Sequence, residues 1–323
     1  MYFIIRHQEM NDETVCQYVS SRGLLKSCTH RSPTPTSSQT RVDWGLQTDK
    51  IKDGDTVYIC SSALPDFVRR FIPHIKTRFI LLSGDSDSSI PTHINSFDSP
   101  NWSNTKPPTL TPDEFNQLIN SNYLIVWFSQ NLAFSPKVFT KIRHLPIGLD
   151  YHTVANNDMY WGPRSSPKIQ EDLLRAISTK GRPLSDRFPK AYTTFHFAIH
   201  RGSRQQAYDQ IPKELVYYEP EHVSRMVSWN KQIEYAFVLS PEGEGMDCHR
   251  TWEALCLGCI PIMISTSLND MFEGLPVLIV QSWSDVTAEL LEKMIFEYSR
   301  KEFSKDKLLL KYWQDEIQSY NRG

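Results

Sequence analysis

Short apolar runs recur along this chain, separated by stretches whose apolar residues stand three and four apart. The runs at 56–60, 78–82, 124–128 and 144–149 predict buried strands in the first half. Those at 193–199, 215–218, 236–239, 260–264 and 276–280 predict strands in the second. Between them, 65–72, 112–119, 166–180, 221–232, 287–298 and 302–317 have helical spacing. Such alternation of strand and helix is the pattern of an α/β protein with parallel sheets. A helical stretch broken by Gly181 and Pro183 marks a linker at 181–189, so two domains are expected, 1–180 and 190–323. A chain of 323 residues has room for both.

The densest chemistry lies after the run 236–239. Ser240, Pro241, Gly243 and Gly245 force a turn, and Asp247 then stands where the N-cap of the next helix belongs. Gly258 suits the left-handed position that ends that helix. A glycine loop feeding a helix start offers free N–H groups and a positive dipole end, which suit a phosphate. Arg250 adds a fixed positive charge, and His249 and Glu253, four apart, share one helix face. A carboxylate at Glu253 can accept both hydroxyls of a ribose; the bland reading is a solvated helix face with a capping Asp.

The stretch Ser-Pro-Glu-Gly-Glu-Gly-Met-Asp-Cys-His-Arg-Thr-Trp-Glu-Ala-Leu-Cys-Leu-Gly-Cys-Ile-Pro-Ile at 240–262 resembles the nucleotide-sugar motif of exostosin-like glycosyltransferases. The run Leu275 to Val280, with Trp283 after it, belongs to the same pattern. The resemblance covers about the C-terminal third. More distantly, the stretch is similar to the Glu-rich motif of two-Rossmann (GT-B) enzymes, whose second glutamate binds the donor ribose and matches Glu253. The first glutamate of that motif falls on Gly245 here and is absent. The resemblance implies a GT-B-like fold of two facing Rossmann-like domains, with a last helix (302–317) crossing back onto the first. It implies a UDP-sugar donor and a glycan acceptor, transfer with inversion, and xylose as the favoured sugar.

The run 193–199 leads into His200, Arg201, Gly202, Ser203 and Arg204. Read plainly this is a basic turn; the resemblance makes it a diphosphate clamp of two guanidiniums. The expected donor site is therefore Arg201, Arg204, Ser240, Gly243, Gly245, Asp247, His249, Arg250 and Glu253. Direct displacement also needs a base from the first domain. Strand 78–82 ends in Ser83, Gly84, Asp85, Ser86 and Asp87, and strand 144–149 in Asp150, Tyr151 and His152. Asp87 is the first choice, with Asp85 and Asp150 as the others; a lone histidine such as His152 is more often structural. Two alternatives stay open. Asp85 and Asp87 can be the paired carboxylates of a metal-dependent GT-A-type enzyme, or the chain can be a non-catalytic carbohydrate- or nucleotide-binding module.

Charge and composition narrow this picture a little. A formal net charge of −2 gives no footprint for nucleic acid or an anionic membrane. The six cysteines have no framework or zinc spacing and read as packing thiols, so no resident metal is expected; a divalent cation on the donor is possible but not required. No apolar run approaches ~18 residues, so no membrane segment is expected. The chain departs there from membrane-anchored animal relatives, and a cytoplasmic location is expected.

Overall fold

The computed structural model describes residues 12–91, 109–157 and 161–322. The apolar start at 1–9 and most of the loop at 100–111 lie outside the described residues. The first half contains β1 (Asp55–Cys60), β2 (Phe79–Gly84), β3 (Leu124–Ser129) and β4 (Ile142–His144), with helices α1 (Ser21–Lys26), α2 (Leu64–Arg70), α3 (Pro112–Ile119), α4 (His152–Asn156) and α5 (Pro167–Ser178). The second half has β5 (Phe188–Thr193), β6 (Val216–Tyr218), β7 (Tyr235–Leu239), β8 (Ile260–Ile264) and β9 (Leu278–Val280). Its helices are α6 (Arg204–Gln210), α7 (Arg225–Gln232), α8 (His249–Cys256), α9 (Ala288–Tyr298) and α10 (Leu310–Ser319).

Each half builds one parallel sheet, the expected α/β, GT-B-like pair of Rossmann-like units. The first has the order β1-β2-β3-β4. Strands that follow one another in order, with right-handed crossovers, place the connecting helices on a single face. That face holds Val57, Ile59, Phe79, Leu81 and Trp127 against Phe67 of α2 and Leu118 of α3. The alternate residues Tyr58, Ile80, Leu82, Val126 and Phe128 face the other way, and a parallel sheet must be covered on both faces. The cover comes from Leu24 and Leu25 of α1 and from Leu310, Trp313 and Ile317 of α10. The last helix therefore crosses back onto the first sheet, as expected. The returning chain is pinned there by Val19 N–H to Leu308 O (2.8 Å) and Leu310 N–H to Gln17 O (2.8 Å).

Several boundaries differ from the sequence reading. The strand expected at 144–149 stops at His144, because Pro146 has no N–H to give a neighbour and Gly148 turns the chain at φ 63°. The strand expected at 193–199 is β5, which begins inside the expected linker; 195–198 form a 3-10 turn. Its first three residues are exposed and only Ala191, Tyr192 and Thr193 are buried, which hid it among polar neighbours. Asp247 is not an N-cap. Cys248 takes that place without a side-chain hydrogen bond, and the Asp247 carboxylate turns to other donors. Gly258 does close α8 at φ 71°. No helix among the described residues is long and apolar enough to cross a membrane.

At the seam between the halves, His144 is buried with Asp270 and Lys307 of the second half facing it. Burial pulls its imidazole down from 6.5 to about 4. A folded pKa below the unfolded one means that neutral His144 stabilises the fold above pH 6.5, and this contribution is lost as pH falls toward 4. In His144→Gln, the loss of unfolding free energy across that window should shrink by up to about 3 kcal/mol. Urea titrations at stepped pH check this; an unchanged slope would contradict it.

Candidate functional site

The second sheet has the order β6-β5-β7-β8-β9, so the chain first winds outward from β5 to β6 and then returns past it to β7. The β5/β7 boundary is a topological switch point, where the loops at the carboxyl ends of the strands diverge and leave a crevice. The loop after β5 carries Arg201 to Arg204, and the loop after β7 carries Ser240 to Cys248. The sequence reading assigned both to one donor site, and the fold packs them together. Gly202 has φ 49°, and a Cβ there would lie 2.6 Å from the carbonyl oxygens of Glu242 and Gly243. Ser203 Oγ accepts from Glu242 N–H at 3.2 Å.

Two guanidiniums meet in this crevice. Arg204 donates from Nη1 to Ala198 O (3.2 Å), and its buried Nε has no hydrogen-bond partner. Arg250 donates from Nη1 to Pro241 O (3.2 Å). Among the described residues neither forms an ion pair, and the nearby Cys248 thiol, pushed up by burial, stays neutral. Burial, with the charge of Arg250 second, pulls Arg204 down to about 10, and burial lowers Arg250 as well. Two half-buried cations side by side, with the charges of Glu244 and Glu253 near them but no ion pair to either, leave room for an anion to complete the site. Arg201 stands outside them, exposed and paired with Glu244 at 3.3 Å.

The first half supplies the opposite wall. Asn131, at φ 51° after β3, accepts from Asp247 N–H at 2.9 Å and donates to Ser86 O at 3.3 Å. Asp247 accepts from Ile147 N–H (2.8 Å) and the Trp252 indole (2.9 Å), so both its oxygens are taken. Burial still pushes its carboxyl up to about 6. Gly245 passes so close to Asn131 and to the Asp87 carbonyl that a Cβ would sit 3.1 and 3.3 Å from them. Ser240 shares a buried hydroxyl pair with Thr251 at 2.7 Å. Ser240 therefore shapes the loop, while Asp247 and Gly245 hold it against the first half. Exposed Asp87 stands beside that loop.

Glu253 holds neighbours in the same crevice. Its Oε2 accepts from the Trp229 indole (3.1 Å), while Oε1 lies 3.6 Å from Arg225 Nε. Arg225 also donates to Asp150 across the halves, to its carbonyl at 2.5 Å and its Oδ2 at 3.1 Å. His249 Nδ1–H donates to Gly148 O at 2.7 Å. The crevice thus runs from Arg204 and Arg250 past His249 to Glu253, Arg225 and Asp150.

No family model matches this sequence, and no curated protein matches it. Among solved structures, one described as trehalose-6-phosphate from E. coli bound with UDP-2-fluoro glucose is similar at 11% identity and a TM-score of 0.32. The alignment covers 85% of this chain and 74% of that one. The apo structure of OtsA is similar to the same extent. A likeness this distant carries nothing about activity, so function rests on the crevice itself.

Asp85 and Asp150 are not the free carboxylates the sequence suggested. Asp85 is buried, with Oδ2 3.1 Å from Arg22 and Oδ1 accepting from Ser37 at 3.0 Å. It therefore does not pair with Asp87 as a GT-A-type metal site requires. Among the described residues no group of three or more His, Cys, Asp or Glu is arranged to hold a metal. Burial alone would raise Asp150, but His249, Arg225 and His152 around it hold its carboxyl well below the usual range. Sequence reasoning missed Arg225, Trp229 and the bridging role of Asn131, because their partners are distant in the chain. A polar cluster after β3 was the one available signal for Asn131.

Proposed function

We propose that this chain is a glycosyltransferase that moves a sugar from a UDP-sugar to a hydroxyl of a glycan. The observation that carries the reading is the pair Arg204 and Arg250, two half-buried guanidiniums that meet at the topological switch point and form no ion pair among the described residues. A diphosphate there would accept from both and from the glycine loop, with Arg201 at the rim. The resemblance of 240–262 to the exostosin-like motif supports the same placement, since Arg250 and Glu253 lie inside it. It also supports a UDP donor, inversion and xylose as the sugar.

In such a transfer the acceptor oxygen attacks C1 of the sugar as the C1–O bond to the diphosphate breaks. The electron pair stays on the departing diphosphate oxygen. Its growing charge would meet two guanidiniums held in place before the reaction.

The ribose belongs at Glu253, whose Oε1 lies 3.6 Å from Arg225 Nε. Glu253→Ala should weaken UDP binding by about 10- to 100-fold, the scale of one charge-assisted hydrogen bond. Calorimetry on the folded variant checks this. Unchanged UDP affinity would remove Glu253 from the ribose role.

A further inference from the structure

We propose that Arg225 is a positioning residue that makes the nucleotide site select a ribose over a 2′-deoxyribose, and that its hold comes from the opposite half of the protein. The proposal rests on the placement of the ribose at Glu253 and adds what makes that carboxylate selective. Arg225 opens α7 in the second half, with Ser224 before it as the N-cap. Its guanidinium nonetheless bonds to the first half. Nη1 donates to Asp150 O at 2.5 Å and to Gln170 Oε1 at 3.3 Å, and Nη2 donates to Asp150 Oδ2 at 3.1 Å. The Arg225 backbone N–H donates to Trp161 O at 2.7 Å. Two of these partners are themselves tied down. Asp150 Oδ1 accepts from Thr153 N–H at 3.0 Å, and buried Gln170 donates to Tyr151 O at 2.9 Å and Ser165 O at 2.8 Å. The first half thus fixes the plane of a guanidinium that belongs to the second.

Glu253 sits between that plane and Trp229. Arg225 Nε lies 3.6 Å from Glu253 Oε1, and the indole of buried Trp229 donates to Oε2 at 3.1 Å. The two contacts fall on different oxygens. Together they set the angle of the carboxylate about its last torsion, which is otherwise broad and roughly twofold. An ionised carboxylate only accepts hydrogen bonds, and each oxygen has two lone pairs. The indole and the guanidinium engage one oxygen each, which leaves each oxygen able to accept one hydroxyl more.

A ribose diol matches a carboxylate fixed in this way, one hydroxyl to each oxygen. A 2′-deoxyribose leaves one oxygen without its donor, and a site shaped around a hydroxyl rejects the ligand that lacks it. Without Arg225 the carboxylate can turn and offer its better-placed oxygen to the single hydroxyl that remains, so the selectivity falls. Charge alone does not supply the effect. A lysine at 225 keeps the positive charge, but its ammonium is a point donor without the rigid fork that grips Asp150 with two nitrogens and faces Glu253 with a third.

The test is calorimetry on the full chain with UDP and 2′-deoxy-UDP. Wild-type protein should prefer UDP by about 10- to 100-fold, the scale of one charge-assisted hydrogen bond. In Arg225→Gln the preference should fall to about threefold or less, and Arg225→Lys should lose it in the same way. Asp150→Asn lies in the first half, away from the nucleotide, and should also lower the preference because Arg225 loses its ion pair. It carries the test if neither Arg225 variant folds. A preference within about twofold of wild type in the folded variants overturns the proposal, even where both nucleotides bind more weakly, since equal losses mean general support of the site. A preference kept in Arg225→Lys but lost in Arg225→Gln overturns it too, because charge alone would then suffice. Wild-type protein that binds both nucleotides equally counts against the ribose at Glu253, and the role of Arg225 falls with it. Wild-type protein that binds neither counts against the nucleotide site itself.

Discussion

Replacing Arg204 with alanine should weaken UDP binding by about 100-fold while leaving uridine binding almost unchanged, since a charge-assisted hydrogen bond to phosphate contributes about 1.5–3 kcal/mol. Uridine lacks the charge that the guanidinium meets. Arg250→Ala should behave alike. The double variant should lose less than the product of the two, because each arginine raises the cost of burying the other. The fold should not suffer, as Arg204 makes one backbone hydrogen bond and no ion pair among the described residues. Calorimetry with UDP and uridine decides the matter. Equal losses for both ligands would mean that the arginines hold the loop and not a diphosphate.

Trp313→Ala should destabilise the protein by about 3–5 kcal/mol, the usual loss for a large aromatic removed from a core. Trp313 is 5% exposed, and its indole donates to Lys307 O at 2.8 Å. With Ile317 and Leu310 it covers the face of the first sheet that no crossover helix reaches. Deleting it opens a cavity under Phe128, which already stacks edge-on with Tyr320 (centroids 5.6 Å apart). Denaturant unfolding measures the loss. A change below about 1 kcal/mol would show that the returning helix is dispensable to the first sheet, against the packing argument for the crossover.

What the sequence made legible follows the range of the interaction. The strands β1, β2, β3, β7 and β8 and the helices α3 and α8 were readable because each is decided by its own apolar spacing, helped in α3 by a local cap. Thr111, for instance, caps α3 with a reciprocal bond from Glu114. Asp247 was misread because its partners, Ile147 N–H and the Trp252 indole, come from elsewhere in the chain and in the helix. Locally, an Asp before a helical run looks like a cap. β5 was displaced because its outer end is exposed and polar, and only the tertiary pairing with β6 and β7 makes it a strand.

The candidate site shows the same division. The glycine loop and its arginines were visible as residue types. The resemblance joined them in one donor site, but the contact at Gly202 was not legible, since a turn and a loop about forty residues apart touch only through the winding of the sheet. Asp85 looked like a cleft carboxylate because nothing near it in sequence reveals Arg22.

The most direct test of the account is a crystal structure of the full chain grown with UDP. The diphosphate should lie between Arg204 and Arg250, within hydrogen-bond distance of both, with the ribose hydroxyls on Glu253. UDP bound elsewhere on the protein, or a crevice still empty at millimolar UDP, would contradict it.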